Sequence, residues 1–138
     1  MIDGAMRAMI ANEIVRLHSE YYGHGPTQAR VYADRDFIAV VLEETFTPAE
    51  RTLIGRGESA GIQDIRRRFQ RAMADQFRSV VEQATGHEVR SFMSETDLEN
   101  DISVEIFLLA GARTDMTGFE QAGGEDEERT GDEPAPGE

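Results

Sequence analysis

Between Gly61 and Gly86 the chain contains neither glycine nor proline, and its apolar residues recur at three- and four-residue steps. Ile62, Ile65, Phe69, Ala72, Met73, Phe77, Val80 and Ala84 fall on one stripe of a helix over Ile62–Thr85. Gly86 stands where a left-handed C-cap ends it. A stripe of this length can blanket one face of a sheet, and the flanking segments read as strands. Gln28–Ala33 alternates, with Ala29, Val31 and Ala33 on one face. Asp34-Arg35-Asp36 is a polar turn, and Phe37–Leu42 is apolar at every position, the mark of a central strand. His87–Ser94 and Ile102–Ala110 give two more strands around a polar turn at Thr96–Asp101.

Two further helices complete the pattern. Residues 5–22 carry a stripe of Met6, Ile10, Ile14, Leu17 and Tyr21, with Ala11, Val15, His18 and Tyr22 beside it. So wide an apolar arc predicts contact with two surfaces. Gly23-His24-Gly25-Pro26 ends this helix. Thr47-Pro48-Ala49-Glu50 has the form of a capping box with proline at the first helical position. The helix it opens is short, because Gly55, Gly57 and Gly61 predict a break. The expected fold is α+β, a two-layer α/β sandwich in the order α-β-β-α-α-β-β with a four-stranded, largely antiparallel sheet.

The apolar periodicity stops at Gly111. Residues 111–138 hold nine acids against Arg113 and Arg129, a net of −7 out of −13 for the whole chain of 138 residues, which leaves −6 for residues 1–110. We therefore expect one domain over 1–110 and a disordered acidic tail over 111–138. The acidic body opposes nonspecific attraction to nucleic acid and to anionic lipid. The absence of cysteine excludes disulfides, thiolate nucleophiles and cysteine-ligated zinc. No apolar run approaches the roughly 20 residues of a membrane span, and Met1-Ile2-Asp3-Gly4 lacks the form of a signal peptide. A cytoplasmic protein without direct membrane insertion is expected.

All 14 basic residues are arginine. On the long helix Arg67, Arg71 and Arg78 project away from the stripe. Pairs at four-residue spacing, Asp64–Arg68, Arg71–Asp75 and Arg78–Glu82, predict a salt-laced solvent face. Arg66 differs. It points to the edge of the stripe and must find a carboxylate, a carbonyl or a ligand anion. With His24, Gly25 and Pro26 it forms the candidate ligand-binding set. His18 shares its helix face with apolar residues, as a hydrogen-bonded histidine of a core or interface does. No metal-ligand spacing, nucleophile elbow, Walker or dinucleotide-binding motif occurs. No cofactor and no catalytic residue are expected. The stretch Gly55–Gly61, between two helices, resembles an RNA-binding fold of KH-like topology but lacks its GxxG loop.

The order of signals over residues 5–110 resembles the MpsC-like family. It is carried by Gly23 and Gly25-Pro26, by Thr47-Pro48-Ala49-Glu50-Arg51 with Leu53, and by the arginine-rich start of the long helix. Gly86-His87-Glu88-Val89, with Phe107 and Leu109, completes it. The resemblance implies an accessory cytosolic protein linked to ion or inorganic-carbon transport, without established catalytic residues. Where the family tends to place a histidine and an aspartate close together, this chain has Met93-Ser94-Glu95. Any chemistry attached to that histidine is in doubt here. The leading expectation is a noncatalytic interaction protein. The alternatives are a KH-like RNA-binding module and a small-anion sensor. Apolar surface in excess of the helices available to cover it predicts a homodimer, with Val15, His18, Tyr22, Phe107 and Leu109 at its contact.

Overall fold

The computed structural model describes residues 1–26 and 28–111, so the tail expected beyond them lies outside the described residues. Asp3 accepts a hydrogen bond from the Met6 N–H and opens α1 (Gly4–Tyr22), which ends at Gly23 with φ 73°. The hairpin of β1 (Gln28–Asp34) and β2 (Phe37–Glu43) turns at Arg35. Then come α2 (Pro48–Gly55), α3 (Ser59–Thr85), β3 (Val89–Asp97) and β4 (Ile102–Leu109). The strands form one antiparallel sheet in the order β1-β2-β4-β3. The α+β sandwich and its element order are as the sequence predicts.

The predicted capping box forms. The Thr47 hydroxyl accepts from the Glu50 N–H at 3.1 Å, and the Glu50 carboxylate accepts from the Thr47 N–H at 2.9 Å. Thr47→Ala should lower stability by about 1 kcal/mol in urea melts while Thr47→Ser stays near the parent. Two silent substitutions would mean that the cap contributes nothing. The break after α2 is shorter than three glycines predict. Only Arg56, Gly57 and Glu58 separate the helices; Gly57 takes φ 84°, and Gly61 lies inside α3.

One core holds the helices on one face of the sheet. Ile10, Ile14 and Leu17 of α1 join Met73, Phe77 and Val81 of α3 over Ile38, Val40 and Leu42 of β2. The α3 stripe is rotated from the expected one. Ile65 is 46% exposed and Ala72 is exposed, whereas Arg66 takes a buried place in line with Ile62 and Met73.

The face that β4 presents to the helices is one that alternation leaves undecided. Alternation places Ile102, Val104, Ile106 and Leu108 together, but Ser103, Glu105, Phe107 and Leu109 are the buried set. Phe107 and Leu109 therefore belong to the core and do not offer a contact surface, contrary to expectation. The register explains this: Phe107 stands beside Phe92, and Leu109 beside Val89, so the aromatic end of β4 fills the space beneath α3. Ser103 is accommodated by a 2.9 Å hydrogen bond with Thr96.

Candidate functional site

The β2–α2 connection, α2, α3 and the β3–β4 turn meet at Arg66. Its Nε donates to Glu50 Oε2 at 2.8 Å and its Nη2 to Glu50 Oε1 at 2.7 Å, a bidentate pair. Nη1 donates to Thr45 Oγ1 at 3.1 Å, and Nη2 also donates to the Thr45 carbonyl at 3.1 Å. The guanidinium lies over the Tyr22 ring, 4.4 Å from its centre, and 5.3 Å from the centre of Phe46. Asp101, held at φ 55° in the β3–β4 turn, accepts from the Thr45 N–H at 2.8 Å and from its hydroxyl at 3.1 Å. Thus Asp101, Thr45, Arg66, Glu50 and Thr47 form one chain of hydrogen bonds, and Glu50 serves both the helix cap and the arginine.

Arg66 needs a specific partner, as its helical position predicts, but that partner is protein. Its donors meet acceptors of its own chain, so the expected ligand-binding role of Arg66 is replaced by a structural one. His24, Gly25 and Pro26 accept none of its hydrogen bonds. They fold back on the end of α1, where a Cβ on Gly25 would stand 3.3 Å from Ser19 Cβ. Nor do the α1 residues expected at a dimer contact face outward together. His18 is 2% exposed, and Tyr22 is packed between the His18 ring at 4.4 Å and the Phe69 ring at 4.8 Å. Val15 lies against the Gly25 turn.

The charge states follow from burial. Burial and the nearby Arg66 charge push His18 down to about 4, against a weaker upward pull from the His24 backbone, so it is neutral at pH 7. Burial pushes the Tyr22 hydroxyl up despite Arg66. Burial also pushes Glu50 upward, but the hydrogen bonds from Arg66 and Thr47 outweigh it and leave the carboxyl below its ordinary value. Glu105, facing the helices at 2% exposure, goes up to about 7 through burial, opposed only in part by Ser94 and Arg66. Ser94 stands opposite Glu105 in the register. Among the described residues no cluster of histidine, aspartate and glutamate has the arrangement of a metal site.

Sequence reasoning missed Thr45, Asp101 and Glu105. Thr45 and Asp101 are 56 positions apart and carry no local signal of their pairing. Glu105 alternates with apolar residues as a solvent-facing carboxylate does.

Among the described residues no helix covers the other sheet face. Tyr32 and Met93 are about half exposed, and Ala39, Val41, Val104, Ile106 and Leu108 are half-buried beside them. Met93 and Glu95 of the segment that departs from the family pattern lie on this face, while Ser94 turns inward. Among the described residues no helix is long and apolar enough to cross a membrane. Searches of curated proteins and of solved structures return no match. Residues 3–111 match the model of the family described as Na+-translocating membrane potential-generating system (MpsC), and the chain belongs to that family.

Proposed function

We propose that this chain is a noncatalytic, cytoplasmic accessory protein of a sodium-translocating system, and that it acts as a homodimer joined through the open face of its sheet. The observation that carries the reading is the orientation of β4, which buries Ser103 and Glu105 and leaves Val104, Ile106 and Leu108 on the side that no described helix covers. Contiguous apolar surface of this kind marks a contact with another macromolecule. A membrane transport component is the family-level context; a second copy is the occupant that the face itself favours. Its residues stand in rows across the sheet, Tyr32–Ala39–Ile106–Met93 and Arg30–Val41–Val104–Glu95. A two-fold axis parallel to the strands, between two such faces, sets β1 of one copy over β3 of the other. Arg30 then faces Glu95 of the second copy, and Ala39 receives Ile106, so the rows are self-complementary. An apolar face on a domain of net −6 is ill suited to a nucleic-acid backbone.

Sedimentation equilibrium at micromolar concentration should return a dimer mass. Ile106→Asp should return a monomer, and Val15→Asp a dimer. In cells, Ile106→Asp at normal abundance should reproduce the membrane-potential change of a gene deletion. A monomeric parent overturns the dimer. A deletion without effect on membrane potential overturns the sodium-transport role.

A further inference from the structure

A groove of about 310 Å³ runs between α3 and β3. Its helix side carries Arg67, Arg71 and Arg78, all on one stripe around Ala74. Of the three expected ion pairs, one forms among the described residues. Asp64–Arg68 closes at 3.3 Å. The Glu82 carboxylate instead accepts from the Val89 N–H at 2.9 Å, and among the described residues neither Arg71 nor Arg78 makes an ion pair. Arg78 Nε, in the groove wall, is a buried atom without a hydrogen-bond partner. Glu95 is the acid of the lining, 3.9 Å from Arg67. Three guanidiniums against one carboxylate make the groove a local +2 in a domain of net −6.

The shape selects the ligand. Arg67 and Arg78 are eleven residues apart, about 16 Å along the helix, the length of roughly five extended residues. A small anion meets one or two of these groups; an extended run of carboxylates meets all three. Ala74 and Phe92 add apolar lining, and β3 is an edge strand whose outer side has no strand neighbour among the described residues. The chain supplies a segment of this kind itself. The last described residue, Gly111, lies beside His87 and thus between the end of α3 and the start of β3. Fourteen positions further on, Glu125-Asp126-Glu127-Glu128 is its one unbroken run of four acids. Fourteen extended residues reach about 46 Å, whereas Arg78 lies only about 12 Å along the helix from Gly86. We propose that the α3–β3 groove binds the acidic segment around residues 125–128 of the same chain, arginines to carboxylates. The proposal shares Glu95 with the pairing of sheet faces but rests on Arg71 and Arg78, which that pairing does not use.

The cysteine-free sequence permits a direct test in the full chain. A nitroxide on Thr130→Cys should broaden the amide signals of Arg71, Ala74, Arg78 and Ser94 to less than half their intensity in about 0.05 M salt, and release them in about 1 M salt. The broadening should vanish in Arg71→Ser with Arg78→Ser. It should vanish equally when residues 125–128 are changed to their amides, which leaves the folded domain untouched. Undiminished signals overturn the proposal, as does broadening indifferent to either set of changes. Broadening that arises only between labelled and unlabelled molecules overturns its same-chain form.

Discussion

Arg66→Met should remove about 3–5 kcal/mol of stability, a large share of what a domain of this size possesses. The magnitude follows from what remains behind. With the guanidinium gone, the Glu50 carboxylate keeps its buried position but loses two charge-assisted hydrogen bonds, and the Thr45 carbonyl and hydroxyl each lose a donor. Methionine fills much of the volume, so the loss measures unpaired polar groups more than a cavity. Arg66→Met with Glu50→Gln should therefore recover part of the deficit, since the stranded charge is removed with its partner. Arg71→Ala, on the exposed side of the same helix, should stay within about 0.5 kcal/mol of the parent. Urea-denaturation midpoints decide the matter. If Arg66→Met and Arg71→Ala melt together, the buried network is not a determinant of stability.

Glu105→Gln should make the protein more stable at pH 8, with a gain of up to about 3 kcal/mol, and should expose an acid sensitivity that the parent conceals. Folded Glu105 releases its proton only at about 7, against 4.5 for the ordinary carboxyl. Between those values the folded chain holds a proton that the unfolded chain has lost, so stability falls as pH rises from 4.5 to 7 and stays reduced above. His18 has the opposite sign. Folded, it protonates at about 4 rather than 6.5, so between those values the unfolded chain holds the extra proton and stability falls as pH drops. Over pH 4.5–6.5 the two slopes cancel, and their joint contribution in the parent is flat. Each slope is about 1.4 kcal/mol per pH unit at most, so removing one uncovers two to three kcal/mol of the other. Glu105→Gln should lose stability on acidification from pH 6.5 to 4.5, while His18→Gln should lose it on alkalisation from pH 4.5 to 7. Glu50, lowered by Arg66, contributes its own loss chiefly below 4.5 and does not disturb this window. Parallel pH profiles for parent and both variants would falsify the opposed-pair account.

The elements themselves were legible because each rests on a local rule. A capping box needs three consecutive peptide units, a left-handed glycine ends a helix by its own backbone freedom, and apolar periodicity repeats within one or two turns. Gly23 and Gly86 end their helices, and the Thr47–Glu50 cap forms, for these reasons. The boundaries that moved did so where two rules competed. Gly61 continues α3 because helix propagation past a single glycine costs only about 1 kcal/mol.

The sequence by itself determined the set of elements, their order, the antiparallel hairpins and the need of Arg66 for a specific partner. Tertiary structure alone decided which face of β4 turns inward. Alternation states that Ile102, Val104, Ile106 and Leu108 share a face, but not whether that face meets the helices, because period two is blind to inside and outside when both sides carry apolar residues. Packing broke the tie: the register brings Phe107 to Phe92 and Leu109 to Val89 beneath α3, and Ser103 and Glu105 follow them inside. The same inward turn raises the Glu105 pKa and leaves Val104, Ile106 and Leu108 on the opposite face. Arg66 obeys the same distinction. Its place on the helix is local, but Glu50, Thr45 and Asp101 converge on it only because sheet and helices close around one core, and a contact across 56 residues has no signature in either neighbourhood.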